Sequence, residues 1–280
     1  MLWDLFPSGR RLGGAPVNFA YHCRQLGAKA YAVSRVGSDE LGREIQKKLK
    51  MLNVERETLQ VDSTHPTGTV KVTLDEAGHP SYEICERVAW DYIEMTPELK
   101  SLAGGLNAAC FGSLAQRNDV SRKTIVAFLE MMPGSSLRIF DVNLRQAYYS
   151  KAVVEASLRA ANVLKLSDEE LPVLSGMFGF AGPDDDQLHA FIERFGLKLV
   201  ALTCGARGSL LVSRDARDEC PAPATKVVDT VGAGDSFTAA LCMGMLKGHS
   251  LAQINDHANR VASFVCSQSG ATPVLPKDLL

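Results

Sequence analysis

The run Val228-Asp229-Thr230-Val231-Gly232-Ala233-Gly234-Asp235-Ser236-Phe237 sets a carboxylate directly after a glycine turn. Gly232 and Gly234 accept backbone angles closed to other residues, and Ala233 carries too little side chain to obstruct an approaching phosphate. Phe237, Ala240, Leu241, Gly244 and Met245 recur at helical spacing, which predicts that the turn opens a helix. Amides at a helix start carry partial positive charge and attract anions. Asp235 beside them is placed to take the proton of a hydroxyl while the amides stabilise a migrating phosphoryl group. The helix start also favours its charged form, so Asp235 is expected to stay ionised at neutral pH and to act through position rather than through a raised pKa. The competing reading is a plain helix cap, for which Asp and Ser are favoured.

A second glycine element, Gly13-Gly14-Ala15-Pro16-Val17-Asn18-Phe19-Ala20, lies near the start. Paired glycines admit a ligand close to the backbone, Pro16 suits a first helical turn, and Asn18 offers a donor and an acceptor to hydroxyl groups. A polyol site and an ordinary glycine loop are both compatible with it.

The elements that must position these residues alternate between strand and helix patterns, the signature of a parallel sheet covered by helices. Residues 16–26 read as a helix stopped at Gly27, and 30–36 as a strand. Leu41, Ile45, Leu49 and Leu52 mark one face of a helix from about Asp39. Further strands are expected at 107–111, 137–142, 162–166 and 198–203, with a surface loop at 179–186. Val70, Val72 and Leu74 alternate with polar residues, and Asp75-Glu76-Ala77-Gly78 supplies a turn before Tyr82 and Ile84. This hairpin, inserted at about 62–90, is too small to hold a core alone and must pack on the body as a lid or against a second subunit. An edge extension of the main sheet is the alternative. Met1-Leu2-Trp3-Asp4-Leu5-Phe6 has no basic leader before a long apolar core and reads as the second half of a buried strand whose first half is absent.

Composition bounds the class. A chain of 280 residues buries roughly three quarters of its unfolded surface, and 46% hydrophobic content supplies a core without membrane-length apolar runs. Thirty basic and 32 acidic residues leave a net charge of -2, so nothing points to nucleic acid or an anionic membrane as partner. Cys23, Cys85, Cys110, Cys204, Cys220, Cys242 and Cys266 are scattered without a Cys-x-x-Cys pair, which suits reduced thiols and a cytoplasmic protein. The six histidines lack metal-ligand spacing.

The two glycine elements together make the chain resemble the ribokinase-like sugar kinases, the phosphofructokinase B superfamily, and within it the bacterial-type fructokinases. Leu2-Trp3-Asp4 with Phe6-Pro7, the Gly13 to Ala20 motif, Asp141-Val142-Asn143-Leu144-Arg145, Thr203-Cys204-Gly205 with Gly208, and Asp229 to Asp235 stand in the family's order and spacing. No Gly-Lys-Ser or Gly-Lys-Thr follows the glycines as in a Walker loop, and no G-x-G-x-x-G opens near the first strand as in a dinucleotide fold.

The resemblance implies an α/β three-layer fold, one domain over residues 1–280, with a mostly parallel central sheet flanked by helices and a small β lid. It implies Asp235 as catalytic base, an anion hole at Gly232, Ala233 and Gly234, and sugar contacts from Asp4, Gly13, Gly14, Asn18 and Arg145. Thr203, Gly205, Gly208, Asn259 and Ser167 fall on the nucleotide side, with Gly270-Ala271-Thr272 bordering the adenine. Ser167 stands where the family's Asn-x-x-Glu element has Asn, and Glu170 becomes the carboxylate that holds magnesium through water. Asp229 resembles the potassium-site aspartate of some relatives. ATP and magnesium are thus the implied cofactors, and a homodimer through the lid the implied assembly. Ala15 replaces the lysine found in relatives that act on ribose or phosphorylated sugars, which argues against a phosphorylated substrate; the resemblance of Trp3 to Pro7, Ala15 to Ala20 and the Asp75 to Tyr82 turn to fructokinases favours D-fructose over ribose, 2-keto-3-deoxygluconate or a similar sugar. A non-catalytic sugar or nucleotide sensor on the same fold, and a nucleotide-dependent oxidoreductase, stay open as other classes.

Overall fold

The computed structural model describes residues 1–6, 9–74 and 80–280. Six strands form the main sheet: β7 (Ala108–Phe111), β8 (Leu137–Asp141), β9 (Val163–Ser167), β10 (Leu199–Thr203), β11 (Ser209–Val212) and β12 (Arg217–Cys220), in the order β12-β11-β10-β9-β8-β7. The pairs from β7 to β10 are parallel, and β11 and β12 close the far edge antiparallel.

Alternation along the strands sends neighbouring side chains to opposite faces, each covered by helices. Ile139, Val163 and Ala201 face α1 (Ala15–Gln25), α8 (Ala233–Leu246) and α9 (Leu251–Cys266). Phe140, Leu164 and Leu202 face α5 (Lys151–Ala160), α6 (Leu171–Phe178) and α7 (Asp184–Phe195). Side-chain caps start several helices: Asp39 accepts from the Gly42 amide ahead of α2 (Glu40–Met51), and Thr96 and Asn118 cap α3 (Pro97–Ala103) and α4 (Asp119–Met131). Gly179 and Gly196, both left-handed, end α6 and α7.

A separate four-stranded sheet has the order β2-β1-β5-β6, from β1 (Leu2–Phe6), β2 (Gly9–Gly13), β5 (Thr69–Leu74) and β6 (Pro80–Ile84). The inserted strand pair is therefore half of a larger lid that also takes in the start of the chain, a partnership sequence alternation does not specify. Leu2–Phe6 belongs to this lid and not to the main sheet, although Leu2 and Trp3 are buried. Val70 is covered within the chain by Leu2, Ile84, Val88 and Trp90. The expected turn at Asp75-Glu76-Ala77-Gly78, and the side chains of Val72 and Leu74, lie outside the described residues.

The stretch read as a strand over 30–36 is shorter and displaced: β3 (Ser34–Gly37) pairs in parallel only with β4 (Leu59–Asp62), in a sheet of two. No helix among the described residues is long and apolar enough to cross a membrane.

Candidate active site

The site lies where β8, β9 and β10 end, the carboxyl edge at which open α/β sheets bind ligands. Gly232 caps α8 at φ +81°, and a β-carbon there would come within 2.6 Å of the Ala271 β-carbon, so only glycine fits. The turn carrying Ala271 is held by buried His22 of α1, whose Nε2 donates to the Ala271 carbonyl at 2.9 Å. Asp229 secures the same loop, accepting from the amides of Val231 and Gly270 and from Arg11. The amide of Ala233 makes a 3.3 Å bond to the Thr230 carbonyl, whereas those of Gly232, Gly234 and Asp235 find no acceptor among the described residues. Donors left over at a helix start are what an anion requires.

Asp235 sits in the first turn of α8 and accepts from Asn18 Nδ2 at 2.8 Å. Burial, and then the neighbouring Asp141 carboxylate, raise its pKa above the ordinary carboxylate value; the Asn18 bond, Lys165 and Arg145 oppose the rise. The helix start therefore does not depress this carboxyl, because loss of water outweighs the partial charge of the amides. Asn18 Oδ1 is buried and has no partner in the structure. An orphaned acceptor one amide away from a carboxylate matches a ligand hydroxyl that bonds both.

Beneath the turn lies a network that motif reading missed. Buried Lys165 of β9 donates from Nζ to Asp141 Oδ1 at 3.1 Å, and Thr238 of α8 donates to Asp141 Oδ2 at 2.9 Å. The same Nζ is 3.1 Å from where a Gly234 β-carbon would stand, so it underlies the free amides. Burial alone would push this ammonium down; the charges of Asp141, Glu170 and Asp235 and the Asp141 bond together hold it above its usual value. The one available signal was a lysine inside the otherwise apolar strand Val163-Leu164-Lys165-Leu166.

On the lid side, Asp4 stands opposite Arg11 in the β1–β2 register, and its carboxylate covers Gly13 so closely that a β-carbon there would collide with it. Burial raises the Asp4 pKa, with Arg11 opposing. Gly14, at φ +109°, caps α1 and packs on the Met1 backbone. Gly13, Gly14, Asn18 and Asp4 thus share one corner of the molecule, and Asn18 joins it to Asp235.

The nucleotide-side candidates are arranged differently. Glu170 accepts from the Ser167 amide at 2.9 Å and from the Leu144 amide at 2.8 Å, tying the end of β9 to the loop that carries Arg145. That loop contains two left-handed residues, Asn143 and Gln146, and the Arg145 guanidinium is near enough to favour ionised Asp235. Thr203 donates to the Leu166 carbonyl. Gly205 and Gly208 have positive φ, and Gly208 packs against the backbone of Cys220 to Ala222. Asn259 is buried, its amide nitrogen spent on Ser209 Oγ at 2.7 Å and the Asn255 carbonyl at 2.9 Å, so it braces β11 from within. Asp229 meets Arg11 at 3.2 Å.

The family model for pfkB family carbohydrate kinases matches residues 9–278. The chain belongs to the pfkB carbohydrate kinases. It is 32% identical over 276 residues to a Pyrococcus horikoshii protein described as a sugar kinase, covering 96% of this chain and 84% of the relative. A Salmonella typhimurium fructokinase is 32% identical over 251 residues, covering 85% and 80%. Among solved structures, the P. horikoshii protein in complex with ATP superposes with a TM-score of 0.84 at 30% identity, covering 100% of this chain and 94% of that one. The pfkB fold here is ribokinase-like, and the glycine turn, Asp235 and the lid occupy it in the expected order.

Proposed function

We propose that this pfkB kinase transfers the γ-phosphoryl group of ATP to a primary hydroxyl of an unphosphorylated sugar, D-fructose before others, giving fructose 6-phosphate. The observation that carries this reading is the 2.8 Å bond from Asn18 to Asp235, across 217 positions of sequence. It joins the polyol element to the phosphate turn and leaves one carboxylate oxygen of Asp235 and the orphaned Asn18 Oδ1 to meet an incoming hydroxyl. Asp4 holds further sugar hydroxyls. As the hydroxyl oxygen attacks the γ-phosphorus, its proton passes to Asp235, the bond from phosphorus to the β–γ bridging oxygen breaks to release ADP, and the free amides of Gly232 and Gly234 stabilise charge on the phosphoryl oxygens. Lys165 balances the two carboxylates beside it. Ala15, with no charge to offer a second phosphate, favours the unphosphorylated substrate. The Vibrio cholerae fructokinase determined with fructose, ADP and calcium, 28% identical with a TM-score of 0.79, supports the sugar and the nucleotide.

Both Glu170 oxygens already accept backbone amides, so Glu170 suits a water-mediated contact to magnesium, which keeps its waters and neutralises nucleotide phosphates when bound. Asp229 already pairs with Arg11 and accepts from two amides, so a potassium ion there would compete with that ion pair. Seven unpaired cysteines accord with the reducing cytoplasm, and a homodimer through the lid sheet belongs to the same reading.

A coupled assay of ADP release with fructose, ribose, 2-keto-3-deoxygluconate and fructose 6-phosphate tests the assignment. Preference for fructose is expected. Preference for fructose 6-phosphate overturns the sugar, and no release with any sugar overturns the kinase in favour of a sensor.

A further inference from the structure

One row of residues crosses all four strands of the lid. Arg11 of β2 stands opposite Asp4 of β1, Asp4 opposite Val70 of β5, and Val70 opposite Ile84 of β6. Both ends of that row are tied to the body. At one end the Arg11 guanidinium meets Asp229, the carboxylate that also holds the phosphate turn through the Val231 and Gly270 amides. At the other end the Tyr148 hydroxyl donates to Glu86 Oε1 at 2.8 Å and lies 3.3 Å from the Ile84 carbonyl. Gln146 Nε2 donates to the Tyr82 carbonyl of the same strand at 2.8 Å.

Gln146 and Tyr148 end a strap, residues 141–148, that touches each part of the site in turn. Asp141 meets Lys165 beneath the free amides, the Leu144 amide donates to Glu170, and Arg145 approaches Asp235. Asn143 and Gln146 are both held left-handed at φ +48°, a conformation that residues with a side chain keep only where the surroundings fix it. The strap also rests on a firm base. The Tyr148 ring lies 4.8 Å from the Arg117 guanidinium, which is buried and paired with Asp91 at 2.7 Å. The row that carries Asp4 is thus suspended between the phosphate turn and the strap, and both supports reach back to Asp235.

We infer that Gln146 and Tyr148 are positioning residues for the transfer: by holding the β6 edge of the lid they set Asp4 over Asp235, so that a sugar hydroxyl and not water meets the base. This inference rests on the sugar-kinase reading proposed above. With the edge released, water takes the place of the hydroxyl. Its oxygen bonds to the γ-phosphorus, its proton passes to Asp235, the bond to the β–γ bridging oxygen breaks, and ADP and inorganic phosphate leave.

The double variant Gln146→Met with Tyr148→Phe tests this, because it removes both donors and keeps the ring over Arg117. Tyr149→Phe is the control, since the Tyr149 hydroxyl bonds nothing among the described residues. In the double variant, amides of β6 should exchange at least about fivefold faster, while those of β8 and β9 stay at parental rates. With the sugar that the ADP-release assay selects, the sugar KM should rise at least about threefold and the ATP KM should stay within about twofold. ADP released should exceed sugar phosphate formed, with inorganic phosphate making up the difference, a readout that a purely structural role would leave unmoved. The control should match the parent throughout. Unchanged β6 exchange in the double variant overturns the inference, as does a loosened β6 with parental sugar KM and parental stoichiometry, or the same changes in Tyr149→Phe. If the parent phosphorylates no sugar, the proposed function fails, and β6 exchange alone then decides whether the strap holds the lid.

Discussion

Asp235 is asked to carry a charge in a place that resists charge. Burial and Asp141 raise its pKa, so the folded protein holds this proton to higher pH than the unfolded chain does. The unfolded state then binds fewer protons between the two values, and stability falls as pH rises from the ordinary carboxylate range through the raised one. Asp235→Asn should remove that fall: the melting-temperature difference between variant and parent should grow in the variant's favour over this window and stay constant below it. Turnover should drop by roughly 10²- to 10⁴-fold, because the amide keeps the shape but takes no proton. Near-normal turnover in a folded variant would remove Asp235 from the mechanism. Lys165 is the counterpart. Lys165→Met should move the acidic limb of the kcat/KM profile to higher pH, since Asp235 loses a favourable charge. It also strands buried Asp141, so Asp141→Asn with Lys165→Met keeps the comparison in a folded protein. An unmoved limb in that double variant relative to Asp141→Asn alone would show Lys165 to be structural only.

At the scale of elements, the phosphate turn works because three segments converge: α8 supplies the amides, the 270 turn roofs Gly232, and α1 holds the roof through His22. Gly232→Ala should combine left-handed strain of about 1–2 kcal/mol with the Ala271 collision, and displace the amides. The expected result is kcat down by about ten- to a hundredfold with the sugar KM little changed, read by steady-state kinetics. These same elements show what the sequence made legible. Gly232, Gly234, Asp235 and the Gly13-Gly14 pair were readable because each sits within a few residues of its partners, where spacing alone carries geometry. The strands β7 to β10 were readable from apolar runs, within one or two residues of their ends, whereas β11 and β12, which extend the same sheet, were not among the expected strands. Asp141, Lys165 and Thr238 were not, since β8, β9 and α8 bring them together across 97 positions and no local pattern marks the meeting. The lid's fourfold pairing was hidden for a similar reason: alternation tells which face is buried and leaves the neighbour open.

The whole molecule is a body with a lid rooted on it, and its only two tryptophans stand at the root. Trp3 of β1 donates from its indole to the Leu41 carbonyl at 3.1 Å, and Trp90 lies under the Arg117 guanidinium, 4.0 Å from the ring centre. Sugar bound beside Asp4 should therefore change the intrinsic fluorescence, while nucleotide alone should leave it nearly unchanged. A sugar-insensitive emission in an active enzyme would mean that the lid does not move against the body. The body itself is laced from end to end: His22 meets Ala271 across 249 positions, and α1 packs on α8. During synthesis the face of α1 bearing Val17, Ala20 and Cys23 completes its cover only when α8 has followed more than two hundred residues later. The packing of α1 is thus finished late, and for much of translation part of its apolar face is open to chaperones.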